Sequence, residues 1–484
     1  MVHADIAFTN FVHNPDKYYF LFISELKAYG ISQFFREALS KILFLPLEEI
    51  ECITIAPDIF EQYNYDNLII INQRLKGREN QRKSHDEFIE DISKNTYIDH
   101  LIDTLLLHQP ELYLYMYESH PSMTLDQREG VTLIGPQSDI VAQLNNKITL
   151  YERFSDLVPM AEYRIVHNVS DLIIAAEELF DTGEMKLFVS LEKSAAGANS
   201  MIATSSEEIK MRFGHHADAT FLLTRYIDHL YDPTTLAVVV NEEEVYVAGV
   251  ADQRIEGTSF RGSTFPTKIS HKEHNEIIRQ TRTVGKAMAR MGYRGIFGCD
   301  FIVTKEGSIY FIETNPRKQG TTMEFCSTLK TQLPRGAPNL PEIEFYAVTE
   351  GQRAPRMQEP SFFETGIYWG TYNVKMDTRN LTRSYLPQQR GEIEMFRSVA
   401  ANKLNKEYMI LEHIGQDYFV NKGSFLGRVI ATGHKYEDIE SGIEMGRTLI
   451  DFTLKSTRSN SQEMSPYDDH CKACQYYQQA IAAT

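Results

Sequence analysis

Hydrophobic residues in the first third of the chain follow two different patterns. Four short runs are apolar almost throughout, as buried strands are: Tyr18–Ser24, Ile53–Ala56, Leu68–Ile71 and Leu112–Tyr117. Between them, Ile31–Phe44 and Tyr97–Leu107 place apolar residues three and four positions apart, which is typical of amphipathic helices. Strands that alternate with helices favour a largely parallel sheet with helices packed on it. The pattern therefore predicts an α/β unit at the start of the chain.

The pattern also divides the rest of the chain. A strand that ends in a Gly-Pro turn, Val131–Pro136, opens a second α/β region. A later region combines strands, such as Gly366–Tyr372 and Tyr408–His413, with a final helix over Tyr436–Leu454. Beyond it the composition turns polar, as in a mobile tail. We predict four segments: residues 1–135, 136–355, 356–456 and 457–484.

Composition and charge narrow the classes of function. The 484 residues include 66 acidic and 49 basic side chains, giving a net charge of −17. Such a surface repels phosphate backbones, so we expect no nucleic-acid partner. Without a long apolar run or a secretory leader, we expect a cytoplasmic protein with no membrane span. Five cysteines fit a reducing compartment; a zinc site at Cys471 and Cys474 would need further ligands.

The most informative stretch is GIFGCDFIVTKEGSIYFIETNPRKQGTT, residues 295–322. Two strands joined by a Lys-Glu-Gly turn predict an antiparallel hairpin, with Asp300 at the start of the first strand and Glu313 and Asn315 at the end of the second. Residues two apart on a strand point to the same face. Two carboxylates and an amide oxygen suit Mg²⁺. Spacing alone fits an ordinary hairpin with polar ends equally well.

A second group of residues suits phosphate. The strand predicted at Lys186–Leu191 leads into Lys193 and the small-residue loop SAAGANS, which contains Gly197. Small residues let backbone N–H groups approach phosphate oxygens, and a nearby lysine adds charge. Lys147 follows the Gly-Pro turn on a predicted helix. Each feature is weak by itself, because isolated lysines are usually surface residues.

Taken in order, the two lysines, the intervening strands and the DFIV…YFIETNPR hairpin resemble the ATP-grasp superfamily of carboxylate–amine ligases. The resemblance covers about residues 131–330. It implies an α/β (α+β) ATP-grasp fold with an N-terminal, Rossmann-like pre-ATP-grasp domain. It also implies a lid subdomain at about 150–225, a metal hairpin at 295–320 and a C-terminal α+β segment. The segment Phe425–Gly446 is similar to the biotin carboxylase and purine-pathway branches.

Roles of individual residues also follow from the resemblance. ATP contacts are implied for Lys147, Lys193, Gly197, Arg225, Tyr226, Ile227 and Asp228, of which 225–227 would form the adenine hinge through their backbone. Asp232 is an alternative ribose contact, and Thr224 departs from the glutamate common at its position. Mg²⁺ ligands are implied at Asp300, Glu313 and Asn315. Catalytic contacts to the reacting groups are implied for Arg317, Arg261 and Arg254.

The implied activity is an ATP-dependent ligation that releases ADP and phosphate. A substrate carboxylate is activated as an acyl phosphate and joined to an amine, with amino acids or peptides as substrates. Two Mg²⁺ ions are expected, with Mn²⁺ as an alternative, and a homodimer is the most common assembly. Three alternatives stay open: transfer to a carrier-protein thiol, carboxylation of the biotin-carboxylase kind, and a non-catalytic nucleotide-binding regulator. No P-loop, dinucleotide-binding or serine-hydrolase motif is present.

Overall fold

A computed structural model of the chain describes residues 6–25, 28–57, 66–71, 84–192, 199–257, 259–361, 366–382, 406–413 and 419–455. Lys193, Gly197 and the predicted tail at 457–484 therefore lie outside the described residues. Within these ranges, no helix is both long enough and apolar enough to cross a bilayer.

A six-stranded sheet forms the N-terminal unit. Its elements are β1 Phe8–Thr9, β2 Tyr18–Ile23, α1 Tyr29–Ile42, β3 Ile50–Ala56, β4 Leu68–Ile70, α2 His85–Ser93, α3 Thr96–Leu106, β5 Leu112–Met116 and β6 Val131–Ile134. The strand order is β1-β4-β3-β2-β5-β6, and every pair is parallel except β1 with β4. The predicted parallel sheet is confirmed. Its strands carry buried side chains on both faces, which explains their nearly continuous apolar runs.

A smaller antiparallel sheet lies in the middle of the chain. It follows two short helices, α4 Ser138–Leu144 and α5 Lys147–Phe154. Its elements are β7 Tyr163–Val166, α6 Val169–Asp181, β8 Leu187–Leu191, β9 Ser200–Ala203, α7 Ser206–Phe213 and β10 Phe221–Arg225, with strand order β7-β10-β8-β9. Helices α6 and α7 pack on one face around Leu172, Ile209 and Phe221. This unit has its own small core and corresponds to the lid predicted at about 150–225; its movement stays a prediction.

An eight-stranded antiparallel sheet forms the largest layer. Its elements are β11 Pro233–Val239, β12 Val245–Glu256, β13 Ser259–Phe265, α8 His271–Arg290, β14 Gly295–Val303, β15 Ile309–Asn315, α9 Thr322–Gln332, α10 Leu340–Thr349, β16 Tyr368–Lys375, β17 Asn380–Leu381, β18 Lys406–His413, β19 Phe419–Val420, β20 Phe425–Gly433 and α11 Tyr436–Ile450. The order is β15-β14-β11-β12-β13-β16-β20-β18, and β17 pairs separately with β19. Strands from the predicted 136–355 and 356–456 segments thus share one sheet, joined where β13 pairs with β16.

One hydrophobic core connects the N-terminal unit to this large sheet. On the N-terminal side, Phe35 stacks on Tyr115 with ring centroids 4.0 Å apart. On the other, Phe265 stacks on Trp369 at 5.3 Å, and all four side chains belong to the same buried cluster. Shared burial of large aromatic rings holds the two units in a fixed arrangement.

Candidate functional site

A cavity of about 780 Å³ lies where the three units meet. The lid contributes Phe188 and Ser200, the large sheet contributes the hairpin β14–β15, and the N-terminal unit contributes Ala28 and Tyr117. A volume of this size, with mostly apolar walls and a few convergent polar groups, is typical of a site for a nucleotide-sized ligand. The predicted metal hairpin and adenine hinge both face into it.

The hairpin brings the predicted metal-binding residues together. Asp300 lies directly opposite Glu313, and Asn315 lies opposite Gly298 two residues farther along. Directly paired side chains of neighbouring strands lie on the same face, so all three predicted residues share one face of the sheet. One detail of the prediction is wrong: β14 begins at Gly295, so Asp300 lies within the strand rather than at its start. The apolar run before Asp300 is itself a buried part of the strand.

The two carboxylates form an electrostatically strained pair. Thr234 Oγ1 donates to Asp300 Oδ1 at 2.7 Å, and Asn315 Nδ2 donates to Oδ2 at 3.0 Å. Burial and the charge of Glu313 raise the pKa of Asp300 to about 6. Lys147 Nζ donates to Glu313 Oε2 at 2.7 Å and supplies one positive charge.

This donor set fits a divalent cation. Two partly buried carboxylates facing each other favour added positive charge, and hard oxygen donors are the ligands that Mg²⁺ prefers. Among the described residues, no group of three or more His, Cys, Asp or Glu side chains is arranged to hold a metal. The third protein oxygen would therefore be the Asn315 amide. This matches a site in which substrate phosphates and water supply the other ligands.

Arg317 connects the hairpin to the N-terminal unit. Its Nη2 donates to Asn315 Oδ1 at 3.0 Å, and its Nε lies 3.2 Å from Glu118 Oε2. Its guanidinium also lies over the ring of Tyr117, 5.9 Å from the centroid. Tyr117 and Glu118 follow β5, at the carboxyl edge of the parallel sheet, where α/β sheets bind ligands. Sequence reasoning missed Glu118 because its contact joins residues far apart in the chain.

The residue after Arg317 is fixed by a buried ion pair. Lys318 Nζ lies 3.0 Å from Glu344 Oε2, with side-chain exposures of 2% and 0%. Tyr115 OH and the backbone N–H of Ile296 also donate to the Glu344 carboxylate, at 3.0 and 3.1 Å. Burial lowers the pKa of Lys318, and the charge of Glu344 opposes that shift. Because every charge here is paired and hydrogen-bonded, the pair holds the backbone beside Arg317 in place.

The predicted hinge also lies along the cavity wall. Arg225, Tyr226 and Ile227 line it, whereas Asp228 does not. The Asp228 side chain is 82% exposed and accepts a 2.9 Å hydrogen bond from Lys186. The cavity wall is continued by Asp232, the alternative ribose contact.

Polar contacts along this wall fix the hinge. Asp232 Oδ1 lies 3.0 Å from His229 Nε2, and this hydrogen bond raises the pKa of His229. Arg225 Nε lies within 3.0 Å of both Glu162 and Glu184. Arg225 therefore fastens the end of the lid sheet.

Arg254 and Arg261 are placed differently from the other predicted residues. They stand on β12 and β13 beside residues that line the cavity, but neither is part of its wall. Arg254 donates to both oxygens of Glu440, at 3.1 and 2.6 Å. Arg261 Nε lies 2.9 Å from Glu256 Oε2. Their predicted contacts to the reacting groups stay predictions.

Comparisons with known proteins agree with this geometry. Residues 144–321 match the family model of the ATP-grasp domain. Biotin carboxylase from Campylobacter jejuni, solved as a beta-gamma-ATP complex, superposes with a TM-score of 0.62 at 13% sequence identity; the match covers 91% of this chain and 92% of that one. An N5-carboxyaminoimidazole synthase from Aspergillus clavatus superposes with a TM-score of 0.56 at 12% sequence identity. The match covers 90% of this chain and 100% of that one. Residues 144–321 form an ATP-grasp domain.

Two relatives share sequence with parts of this chain. L-propargylglycine–L-glutamate ligase of Streptantibioticus cattleyicolor is 23% identical over 202 residues, which are 40% of this chain and 39% of the relative. [Butirosin acyl-carrier protein]–L-glutamate ligase of Niallia circulans is 21% identical over 238 residues, which are 47% of this chain and 52% of the relative. The chain thus spans less than two thirds of the length of either relative.

The predicted ATP-grasp fold is confirmed. The solved structures cover the N-terminal unit and the C-terminal strands as well as the ATP-grasp domain, because about nine tenths of the chain is matched. Sequence reasoning missed several polar residues of the cavity wall, namely Asn373, Lys375 and Arg428. Asn373, Lys375 and Arg428 stand on strands outside the ATP-grasp domain, and no local motif marks them.

Proposed function

We propose that the protein is an ATP-dependent ligase that activates a substrate carboxylate as an acyl phosphate and joins it to an amine. The observation that carries the proposal is the convergence of Lys147, Asp300, Glu313, Asn315 and Arg317 on one cavity. A protein that only binds nucleotide has little need for paired carboxylates and an arginine beside them. This arrangement therefore favours a ligase over a non-catalytic regulator.

The substrates proposed are ATP and two small molecules, at least one an amino acid. Both relatives are named as ligases of L-glutamate, which makes this amino acid our first candidate. The second relative is also named for an acyl-carrier protein, so transfer to a carrier is the second candidate. The biotin-carboxylase alternative is supported only by structural similarity at 13% sequence identity. Similarity of this kind supports the fold alone.

The proposed reaction has two displacements. First, a carboxylate oxygen of the substrate attacks the γ-phosphorus of ATP, the bond to the β–γ bridging oxygen breaks, and ADP leaves. The amine nitrogen then attacks the carbonyl carbon of the acyl phosphate, loses a proton and expels phosphate. Lys147 would hold the transferred phosphoryl group, and Arg317 would stabilise negative charge on the carbonyl oxygen. The lid would exclude water, which hydrolyses acyl phosphates.

Mg²⁺ belongs to this proposal as the ion that Asp300, Glu313 and Asn315 would hold. When bound, it would neutralise charge on the ATP oxygens, and two ions, or Mn²⁺ in their place, are consistent with the three oxygen donors. Asn315 would then offer its amide oxygen to the ion, while Arg317 keeps its contact with Glu118. The support for this assignment is the facing pair of partly buried carboxylates.

Release of phosphate from ATP tests the function. The purified protein would be incubated with ATP, Mg²⁺ and a panel of amino acids offered singly and in pairs. We expect phosphate release only when a carboxylate and an acceptor are both present, with glutamate in the productive pairs. Mass spectrometry of the product would distinguish an amide from a carrier-bound thioester. Nucleotide binding without turnover across amino acids and carrier proteins would overturn the ligase proposal.

A further inference from the structure

The C-terminal strands build a second pocket within the cavity. We call it the C-terminal pocket and define it by Thr371, Asn373 and Lys375 of β16 and by Phe425 and Arg428 of β20, all of which line the cavity. Asn373 lies directly opposite Arg428, and Thr371 and Lys375 are two residues to either side of Asn373. Alternate residues of a strand share a face, so these side chains form one wall.

This wall lies next to the predicted catalytic arginine. Arg428 Nη2 donates to the backbone carbonyl of Gly320 at 2.6 Å, and Gly320 comes three residues after Arg317 in the chain. Gln319, Gly320 and Thr321 line the cavity between the two. The C-terminal pocket is therefore separated from the hairpin by only one short loop.

Most charges around the pocket are already paired. Arg428 is 6% exposed and forms an ion pair with the fully buried Glu324. Arg261 pairs with Glu256, which also accepts a hydrogen bond from Tyr372. These pairs hold the wall rigid and leave it nearly neutral.

Lys375 is the exception. Its Nζ donates to the hydroxyl of Ser259 at 2.6 Å, and it forms no ion pair with a carboxylate of the described residues. Arg261 adds to the positive potential there, although Glu256 partly offsets it; burial and Arg261 together lower the pKa of Lys375. A half-buried ammonium group that has only a hydroxyl partner favours an anion supplied by a ligand.

The surroundings of Lys375 suit a carboxylate on a short apolar stem. Asn373 offers an amide beside it, and Phe260 and Phe425 supply apolar surface on the same cavity wall. We propose that Lys375 and Asn373 bind the side-chain carboxylate of an acidic amino-acid substrate, while its other end lies near Arg317. This inference rests on the proposed function and assigns the residues that would select the substrate.

Replacement of Lys375 tests the assignment in the intact chain. We expect Lys375→Met to raise KM for glutamate about 10- to 100-fold, because a charge-assisted hydrogen bond is lost. KM for ATP should change less than about 3-fold. The same holds for KM for glutamine, which has an amide in place of the side-chain carboxylate. Lys375→Arg should restore much of the preference for glutamate. Lys422→Met is the matched control, because Lys422 is exposed and lies outside the cavity wall.

The outcomes separate this inference from the proposed function. If the Lys375→Met protein turns over with an unchanged preference for glutamate over glutamine, the assignment of the pocket is wrong. The ligase proposal would not be affected by that result. If neither amino-acid pairs nor carrier proteins support turnover, the ligase proposal fails, and the pocket is then tested by calorimetry with protein saturated with Mg²⁺ and a non-hydrolysable ATP analogue. Glutamate binding weakened at least about 10-fold in Lys375→Met supports the pocket.

Inorganic phosphate is titrated in parallel, because it would satisfy the same ammonium group. Binding of phosphate that depends on Lys375, without binding of glutamate, would overturn the carboxylate assignment. Absence of glutamate binding to the wild-type protein would overturn it as well.

Discussion

Lys147 Nζ donates a 2.7 Å hydrogen bond to Oε2 of Glu313, although the two residues are 166 positions apart in the chain. Lys147 begins α5, at the base of the lid, and Glu313 stands on the metal hairpin. Both side chains are partly buried, with exposures of 14% and 25%, so water screens the pair only weakly. The contact therefore places a lysine and a carboxylate, hydrogen-bonded to each other, on the wall of the cavity.

Loss of this lysine should affect chemistry more than folding. We expect Lys147→Met to lower the rate of phosphate release about 100- to 1000-fold, because preorganised positive charge at the phosphoryl group is lost. The melting temperature should change little, since the pair lies at a cavity wall. Lys305→Met, at the exposed turn of the same hairpin, serves as the control. A Lys147→Met protein with normal turnover would show that Lys147 does not contact ATP.

Glu313→Gln should separate metal binding from stability. The substitution removes a charge that faces the partly buried Asp300, so we expect the free energy of unfolding without metal to stay the same or to rise. Turnover should fall below detection. Addition of MgADP should raise the melting temperature of the wild-type protein but not that of the variant. Equal stabilisation of both by MgADP, compared with a Glu306→Gln control, would contradict the metal assignment.

Glu118→Gln tests whether the N-terminal unit positions Arg317. The Arg317 guanidinium would lose its carboxylate partner at 3.2 Å but keep its contact with Asn315. We expect kcat to fall about 10-fold, with less change in KM for ATP, whereas Arg317→Ala should cost about 100-fold or more. The two substitutions should be non-additive when combined. Additive effects would mean that Glu118 acts independently of Arg317.

The Lys318–Glu344 pair should behave as a buried ion pair. Lys318→Met leaves an unpaired carboxylate that is fully buried, so we expect a loss of about 3–5 kcal/mol in the free energy of unfolding. Lys318→Met combined with Glu344→Gln should recover a large part of that loss, because no charge is then left unpaired. Urea-induced unfolding followed by circular dichroism would measure both. A loss below about 1 kcal/mol for Lys318→Met would contradict this account.

Local patterns predicted most of the fold, because burial imposes periodicity on the sequence. The strand β5 and the helix α3 begin and end within a residue or two of the predicted positions. The hairpin could be predicted because its carboxylates are close both in sequence and in space. Its position relative to Lys147 needed the family resemblance.

Contacts between distant segments could not be predicted. Lys375 and Arg428 line the cavity, and Glu118 contacts Arg317, only because segments far apart in the chain meet there. Arg254 was expected to contact the reacting groups, yet its guanidinium pairs with Glu440, which α11 carries 186 residues later. A local motif cannot show such a partner.

The pairing of β13 with β16 has a consequence for engineering this protein. Truncation after residue 355 would leave the edge of β13 at Thr264 and Phe265 without its pairing to β16 and would expose Phe265, which stacks on Trp369. If the C-terminal pocket selects the substrate as proposed, grafting the C-terminal strands of a ligase as a detachable module would not transfer its substrate choice. A working chimera must preserve the pairing between β13 and β16. The alternative is to substitute single side chains, such as Lys375, within the existing sheet.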